Sequence, residues 1–389
     1  MILFKDAQKI LDDTPVKTET EMVGLDKVLG RILAQDVIST INMPPFNKSA
    51  MDGYALISGD KSERFEIIET IPAGKVPQKK VRKGECAKVM TGGIVPEGAD
   101  RVIKTELTVE KGGFMTMTGE ETNKNVCTAG EDIQKGDRVL DKGIRIRPQE
   151  AGVLASVGLA RVKVYQKPRV GVLSTGTEIV SPGKNINPSQ IYDSNSYSLS
   201  AQVLRSGAEL SGYKMVRDKP DKIRKAVSDF LSQCDVLIIS GGVSMGDYDY
   251  VPSVLKKLGF KLHFEKVAIK PGKPTVFASK GYQYVFGVPG NPVSSFVVFE
   301  LFVRPFFLRM MGHKYEPLWI SGLLEKGIQR RKTHRDSYIP VEHKKGSIKT
   351  LPYHGSAHIH ALTKANALLC IPRGEKEFKT GKKVHVRPI

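Results

Sequence analysis

The sequence predicts a multidomain α/β plus β protein, whose central domain has a parallel or mixed sheet with helices on both faces. The chain has 389 residues, which is more than one ordinary core holds. Between about 169 and 308, apolar runs of strand length alternate with helical patterns, as in βαβ units. On either side, short extended segments are separated by Gly- and Pro-rich turns, which favours β-rich flanking domains.

The central elements follow one another at the spacing expected of βαβ units. The strands are predicted at 169–174, 208–216, up to Ser240, and at 262–269 and 282–288. Helices are predicted at 194–205, from Pro220, from about Tyr250 and from Val293. The helix after Pro220 places Ile223, Val227 and Leu231 on one face, so it is expected to pack on the sheet.

The flanking parts contain fewer regular patterns. An amphipathic helix is predicted at 4–11 and a second near 24–28, followed by turns and short β segments up to Ile144. Residues 314–389 are predicted to be all-β and to end in a hairpin of 367–371 and 383–386, with its turn at 372–375.

Composition and charge exclude several classes of protein. The N-terminus lacks the apolar core of a signal peptide, and the segment 296–307 is interrupted by Glu300 and Arg304, so we expect neither secretion nor a membrane span. The four cysteines have no C-x-x-C spacing, which is typical of a reducing cytoplasm and disfavours a zinc site. A net charge of +19 favours anionic ligands. No recognised nucleic-acid-binding module accompanies this charge, so nucleic acid is not expected as a partner.

The most informative stretch is Asp235-Val-Leu-Ile-Ile-Ser-Gly-Gly-Val-Ser-Met-Gly-Asp-Tyr-Asp249. Its apolar run predicts a buried parallel strand that ends in a Gly-rich turn. Open α/β sheets bind ligands beyond the carboxyl ends of their strands. Backbone N–H groups of the turn can hold an anion, and Asp247 and Asp249 offer the hard oxygen ligands that Mg²⁺ prefers. The sequence therefore predicts a magnesium-assisted site for a phosphate-bearing substrate.

The same residues permit a second interpretation. Gly242-Val-Ser-Met-Gly246 matches the G-x-S-x-G pattern of hydrolases, in which Ser244 would be the nucleophile. That motif requires a helix that begins directly at the serine, whereas Pro252 favours a later helix start. A serine hydrolase remains the alternative, and in the first interpretation Ser244 contacts the substrate or donates a hydrogen bond within the turn.

Five further loop motifs accompany the central one. They are Pro44-Pro-Phe-Asn-Lys-Ser-Ala-Met-Asp-Gly-Tyr-Ala55, Thr91-Gly-Gly-Ile-Val-Pro-Glu-Gly-Ala-Asp100, Ser174-Thr-Gly-Thr-Glu178, Lys270-Pro-Gly-Lys-Pro274 and Val288-Pro-Gly-Asn-Pro292. In this order and spacing the set resembles the molybdopterin molybdenumtransferases, the MoeA family that includes the gephyrin E domain, over essentially the whole chain.

The resemblance implies a function and a domain organisation. The function is insertion of molybdate or tungstate into adenylylated molybdopterin, with magnesium-dependent release of AMP. The implied assembly is a homodimer with its active site between the subunits. The molybdopterin adenylyltransferase is a candidate partner. The implied domains are an elongated stalk (1–45 and 137–166), a small inserted β domain (46–136), a MogA-like α/β domain (167–313) and a C-terminal β domain (314–389).

The resemblance also implies roles for individual residues. The functional acids fall on Asp52, Glu178, Asp218 and Asp249, and the substrate-binding residues on Thr91, Lys266, Lys270, Lys273, Pro289 and Pro292. We add Ser294 and Arg335 as candidate oxyanion contacts. The family's serine-bearing segment here reads His358-Ile-His-Ala-Leu-Thr363, which departs from the family pattern. A non-catalytic scaffold, as in gephyrin, is the third interpretation.

Overall fold

The structure, a computed structural model, describes residues 1–243, 249–352, 355 and 357–389. The chain forms two compact units. The first comprises Met1–Glu21, Gly30–Ala34 and Lys163–Ile389, and the second comprises Met22–Leu29 and Gln35–Val162.

The helices and strands follow one another along the chain in three groups. The N-terminal elements are α1 (Phe4–Asp13), β1 (Thr20–Gly24), β2 (Val37–Ile38), β3 (Lys48–Ser49), β4 (Gly53–Leu56), β5 (Phe65–Ile71), β6 (Glu85–Val89), β7 (Arg101–Lys104), β8 (Thr108–Lys111), β9 (Phe114–Met117), β10 (Val126–Cys127), β11 (Arg138–Leu140) and α2 (Pro148–Ser156). The central elements are β12 (Arg161–Tyr165), β13 (Arg169–Thr175), β14 (Ile179–Val180), β15 (Ile191–Tyr192), α3 (Asn195–Arg205), β16 (Glu209–Val216), α4 (Pro220–Leu231), β17 (Val236–Ser240), α5 (Val251–Lys257), β18 (Lys261–Phe264), β19 (Ile269–Lys270), β20 (Val276–Lys280), β21 (Gln283–Val288), α6 (Pro292–Val298) and α7 (Arg304–Met310). The C-terminal elements are β22 (Ile320–Leu324), β23 (Ile328–Gln329), β24 (Asp336–Lys344), β25 (Ser347–Thr350), β26 (Ala367–Ile371), β27 (Glu377–Phe378) and β28 (Lys383–Pro388).

The first unit contains the predicted α/β sheet, in the order β16-β13-β17-β21-β20-β18. The first four strands are parallel, and β20 runs antiparallel to β21 and β18. Successive residues of β17 point to opposite faces, because Ile238 belongs to one buried apolar cluster and Ile239 to another. Both faces are therefore covered, which explains why these strands are continuously apolar.

Helices lie on both faces of this sheet, as predicted. Leu199 and Val203 of α3 belong to one apolar cluster, and Ile223 and Val227 of α4 belong to the other. A five-residue π-helical segment, Phe299–Val303, connects α6 to α7, so one long helix runs from Pro292 to Met310.

The second unit contains a six-stranded sheet in the order β7-β4-β6-β5-β9-β8. Its short central strand β4 is buried on both faces: Tyr54 and Leu56 pack in one cluster and Ala55 in another. This sheet matches the small β-rich domain expected from the turn-rich N-terminal sequence.

The C-terminal segment forms a closed sheet within the first unit. β24 pairs with β26 along its first half and with β25 along its second half, while β25, β22, β28 and β26 are joined in sequence. The five strands thus close on themselves, and closure leaves no unpaired edge. The predicted all-β class is confirmed, and so is the predicted pairing of the last two long strands, β26 with β28. The connection between them is longer than the predicted turn at 372–375, because β27 lies within it and pairs with β23.

Four predicted details were wrong. The helix expected at 24–28 is a single 3₁₀ turn, Leu25–Lys27. The strand expected at 262–269 is divided into β18 and the separate short strand β19. Strand β20 and helix α2 were not predicted at all. β20 and β21 form a hairpin with Lys280 opposite Gln283, so the apolar run after Pro274 is one arm of a hairpin. α2 contains Gly152, which lowers helix propensity and obscured the pattern.

In the part of the chain that the structure describes, no helix is both long enough and apolar enough to cross a bilayer.

Candidate active site

A cleft of about 650 Å³ opens where β13, β17 and β21 end. This position is the carboxyl edge of the parallel sheet, where α/β proteins bind ligands. The cleft is lined by Ser174, Thr175, Glu178, Ile179, Ile191, Tyr192, Asp193, Ser194, Asn195, Asp218, Ser240, Gly241, Gly242, Val243, Asp249, Pro274, Pro289, Gly290, Asn291, Pro292, Ala357 and Ile359. Throughout, we call it the carboxyl-edge cleft.

Three predicted acids, Glu178, Asp218 and Asp249, line this cleft together. Asp218 accepts a hydrogen bond from the backbone N–H of Thr177 at 3.1 Å through Oδ2. Its Oδ1 is buried and has no hydrogen-bond partner among the described residues. A buried carboxylate oxygen without a partner is costly, so Asp218 is suited to a cation or a substrate donor. Asp247 and Ser244 lie outside the described residues.

Glu178 lies just beyond β13, and its carboxylate folds back toward Gly176. A Cβ at position 176 would lie 2.9 Å from Glu178 Oε2, but the flexible Glu178 side chain could rotate away from it. The absence of a Cβ at Gly176 therefore leaves room for this orientation of the carboxylate without being required by the backbone.

The described carboxylates of the cleft do not make up a metal site by themselves. No group of three or more Asp, Glu, His or Cys residues within the described ranges forms a complete metal cage. Mg²⁺ typically takes one or two protein carboxylates and completes its shell with waters and substrate phosphate oxygens. Asp249 and Asp218 are hard oxygen donors of this kind, and they line one cleft.

The loop after β21 forms another wall of the cleft. Pro289 and Pro292 line it, whereas Ser294 is only 4% exposed and is not among the lining residues. The backbone N–H of Gly241 donates to the carbonyl of Val288 at 3.1 Å, so this loop and the glycine turn after β17 are held side by side.

Sequence reasoning missed the polar segment Asp193-Ser194-Asn195-Ser196 at the start of α3. Asp193 is 5% exposed and accepts hydrogen bonds from Ser196 N, Ser196 Oγ and Ser174 Oγ at 3.0, 2.6 and 3.1 Å. In sequence this segment looks like an ordinary helix start rich in capping residues. The strand order could have indicated the role of this segment. β13 and β17 are adjacent, which places Ser174 and Ser240, the hydrogen-bond partners of Asp193 and Asn195, side by side.

Two of the four predicted cations, Lys270 and Arg335, line a second opening, which we call the basic cleft. It measures about 860 Å³ and is lined by Lys270, Pro271, Lys326, Gly327, Ile328, Gln329, Arg330, Arg331, Lys332, His334, Arg335, Ser337, Tyr338, Ile339, Thr350 and Leu351. The structure thus brings Lys270 and Arg335 together, as the sequence could not show. Arg335 Nη1 donates to the carbonyl of Ile269 at 3.3 Å, which anchors it beside Lys270.

The loop 270–274 borders both clefts, because Lys270 lines the basic cleft and Pro274 lines the carboxyl-edge cleft. It begins with a cis peptide bond between Lys270 and Pro271. Lys273 is exposed on this loop, whereas Lys266 is half-buried and its carbonyl accepts from Ile2 N–H at 3.0 Å. Neither lysine lines either cleft within the described residues.

The remaining two predicted residues, Asp52 and Thr91, lie in the second unit and contact each other. Asp52 Oδ1 accepts from the N–H and from Oγ1 of Thr91 at 2.6 and 2.7 Å. The backbone N–H of Thr91, followed by its hydroxyl, lowers the pKa of the Asp52 carboxyl below its ordinary value. Asp52 is therefore an ionised, exposed and oriented carboxylate.

Fold and site together define a class of protein. An α/β domain with acids at the carboxyl edge of its sheet, next to a basic cleft, is typical of an enzyme that acts on an anionic substrate.

Similarity to known proteins then identifies the family. Residues 2–158 match the MoeA N-terminal region (domain I and II), residues 171–309 the probable molybdopterin binding domain, and residues 328–389 the MoeA C-terminal region (domain IV). The molybdopterin molybdenumtransferase of Haemophilus influenzae is 35% identical over 399 residues, covering 100% of this chain and 98% of the relative. That of Bacillus subtilis is 35% identical over 384 residues, covering 95% of this chain and 89% of the relative.

A solved structure gives the same result. The molybdopterin biosynthesis MoeA protein from Pyrococcus horikoshii matches with a TM-score of 0.85 at 31% identity, covering 100% of this chain and 99% of that one. The chain therefore belongs to the MoeA family of molybdopterin molybdenumtransferases and is an enzyme of molybdenum cofactor biosynthesis.

Proposed function

We propose that the protein inserts molybdate or tungstate into adenylylated molybdopterin and releases AMP, in a magnesium-dependent reaction in the cytoplasm. The observation that carries the proposal is the meeting of Glu178, Asp218 and Asp249 with the glycine turn 241–242 in one cleft. A phosphate-bearing substrate can be held there by backbone N–H groups, and a metal ion by the carboxylates. The names of the relatives from Haemophilus influenzae and Bacillus subtilis support the same reaction class.

The carboxyl-edge cleft suits cleavage of a phosphoanhydride. When water attacks the AMP phosphorus and the bond from phosphorus to the bridging oxygen breaks, negative charge builds on the departing phosphate oxygens of molybdopterin. Magnesium bound by Asp249 and Asp218 would supply the positive charge that stabilises those oxygens. Pro289 and Pro292 restrict the backbone of the opposite wall, which keeps the substrate in one orientation at little entropic cost.

The basic cleft suits the oxyanion. Molybdate and tungstate are dianions, and Lys270 and Arg335 line this cleft together. A guanidinium offers paired N–H donors and an ammonium a compact charge, so the two are complementary ligands for a tetrahedral oxyanion. Lys273, exposed on the adjoining loop, is our candidate for guiding the anion toward the carboxyl-edge cleft.

Asp52 and Thr91 enter the proposal through a homodimer. We assign them to the active site of a second subunit, where the Asp52 carboxylate, oriented by Thr91, would face the substrate. The molybdopterin adenylyltransferase is the candidate partner, because it would deliver the adenylylated substrate.

The decisive experiment measures AMP release by chromatography. The purified protein is mixed with adenylylated molybdopterin, magnesium and either molybdate or tungstate, with Asp249→Asn alongside. We expect Asp249→Asn to retain its fold and substrate binding but to release AMP at least about a hundredfold more slowly, because metal charge at the leaving oxygens is lost. Chelation of magnesium should have a similar effect.

A matched control uses the same substitution away from the cleft. Asp229 lies on α4, where its half-exposed carboxylate pairs with Lys214 at 3.6 Å, so Asp229→Asn should leave AMP release unchanged. Normal turnover by Asp249→Asn would contradict its role. Absence of AMP release from the wild-type protein with either oxyanion would favour a binding or scaffold role instead.

A further inference from the structure

Asn195 joins three segments that form the carboxyl-edge cleft. Its Nδ2 donates to Ser240 Oγ at 2.7 Å and to the carbonyl of Gly290 at 2.6 Å. Its Oδ1 accepts from Ser295 Oγ at 3.3 Å. One amide therefore connects the end of β17, the loop after β21 and the start of α6.

The hydrogen bonds around Asn195 Nδ2 and Ser240 are compatible in direction, whereas the single proton of the Ser295 hydroxyl is shared between Asn195 Oδ1 and the carbonyl of Pro292 at 2.9 Å. Ser240 Oγ donates to the carbonyl of Pro289 at 3.4 Å, which leaves its lone pairs for the Asn195 amide. Only an uncharged amide supplies two donors and one acceptor at this position. Asn195 is 9% exposed, so water does not readily replace a lost partner.

The amide itself is held in place by the start of α3. Asp193 accepts from the backbone N–H and the hydroxyl of Ser196, and also from Ser174 at the end of β13. The first turn of α3 is thus fixed to the central part of the sheet. The loop after β21 and the glycine turn are also joined directly, because the backbone N–H of Gly241 donates to the carbonyl of Val288 at 3.1 Å.

From this geometry we infer that Asn195 is a positioning residue for the adenylylated substrate. It fixes the distance between the glycine turn after β17 and the loop 289–292, the two walls between which the nucleotide phosphate binds. The inference rests on the proposed function. It assigns to Asn195 a role in the carboxyl-edge cleft alone, since Asn195 does not line the basic cleft among the described residues.

The test uses Asn195→Asp, which keeps the shape of the side chain. The variant loses both donors and places a carboxylate against the Gly290 carbonyl oxygen, so the two walls separate. We expect the KM for adenylylated molybdopterin to rise at least about tenfold, because small misplacements of a binding wall are costly. The KM for molybdate should stay within about twofold, because Asn195 does not line the basic cleft. A protein that is merely destabilised would not change one KM and leave the other unchanged.

The matched control is Asn366→Asp. Asn366 also bridges backbone groups, with Nδ2 donating to the His343 carbonyl at 2.9 Å and Oδ1 accepting from the His343 N–H at 2.7 Å, but it lines neither described cleft. It should leave both KM values unchanged. Asn195→Ser, which is neutral and smaller, replaces Asn195→Asp if the latter does not fold.

Calorimetric titration with AMP separates the inference from the proposed function. Weaker AMP binding by at least about tenfold in the folded Asn195 variant supports the inference even if the wild-type protein releases no AMP. Unchanged AMP affinity and unchanged KM in a folded variant would overturn it. A loss of activity that only follows the unfolded fraction would also overturn it, because it would show a structural role alone.

Discussion

At the residue scale, the pair Asp52 and Thr91 shows how separate motifs become one group. They are 39 positions apart, yet Asp52 Oδ1 receives both the N–H and the hydroxyl of Thr91. These donors favour the ionised carboxylate, which lowers its pKa. The interaction therefore stabilises the fold above the ordinary pKa of Asp, about 3.9, and this stabilisation is lost as the pH falls through the lowered pKa.

We predict that Thr91→Val raises the pKa of Asp52 toward its ordinary value. Valine has nearly the shape of threonine but lacks the hydroxyl that donates at 2.7 Å, so only the backbone donor remains. Thr91→Ser keeps the hydroxyl and should restore the lowered pKa. The measurement is a ¹³C NMR titration of aspartate-labelled protein, with Asp52→Asn used to assign the signal. An unchanged pKa in Thr91→Val would show that the backbone N–H acts alone.

Part of the candidate site could be predicted from dense, unusual motifs, which contain Glu178 and Asp249. Asp218 lies in none of these motifs and was implied only by the family resemblance, yet all three acids line one cleft. Asn195 was not assigned, because an asparagine at a helix start has a common local explanation. Its partners Ser240 and Gly290 are distant in sequence, and only the fold brings them together.

At the element scale, β13 depends on a glycine in its interior. β13 lies between β16 and β17, so its side chains have little room. A Cβ at Gly171 would lie 2.6 Å from Cδ1 of Phe230 on α4. The glycine therefore allows α4 to pack closely on the strand.

We predict that Gly171→Ala lowers the free energy of unfolding by about 1–3 kcal/mol, because the added methyl group overpacks the interface with Phe230. Phe230→Leu in the same chain should recover part of that loss. The measurement is urea unfolding followed by circular dichroism.

Gly152→Ala serves as the control for that prediction. Gly152 lies in α2, and a Cβ there would meet no atom within 4 Å. The same substitution should therefore stabilise the protein by about 0.5–1 kcal/mol through helix propensity. Equal effects of the two substitutions would contradict the packing argument.

At the scale of the whole molecule, the proposed homodimer would explain why the predicted functional residues lie in both compact units. Asp249 belongs to the first unit and Asp52 to the second. If each active site combines Asp249 of one subunit with Asp52 of the other, a mixed dimer can carry one intact site.

We predict that a heterodimer of one Asp52→Asn subunit and one Asp249→Asn subunit has about half the wild-type AMP release, because one of its two symmetric sites contains both carboxylates. The two subunits are co-expressed with different tags and the heterodimer is purified through both. Each homodimeric variant should be nearly inactive. A heterodimer as inactive as the two variants would show that both residues act within one subunit.

The sequence by itself determined the class of fold and the order of the main α/β elements, and its resemblance to a known family predicted the acids that line the carboxyl-edge cleft. These features are local. An apolar run predicts a strand whether or not its neighbours are known, and a Gly-rich turn that carries carboxylates can be predicted from a few consecutive residues. The division of 262–280 into β18, β19 and β20 could not be determined in this way, because β19 pairs with β24, far along the chain.

Only the tertiary structure decided which functional groups meet. It placed Lys270 with Arg335 in the basic cleft, separated that cleft from the acids at the carboxyl edge, and made Asn195 the link between β17, the loop after β21 and α6. It also buried Ser294, a candidate oxyanion contact, which is not among the described residues that line the carboxyl-edge cleft. The physical reason is that strand order and close packing set distances between residues remote in sequence, whereas residue patterns report only on their immediate surroundings.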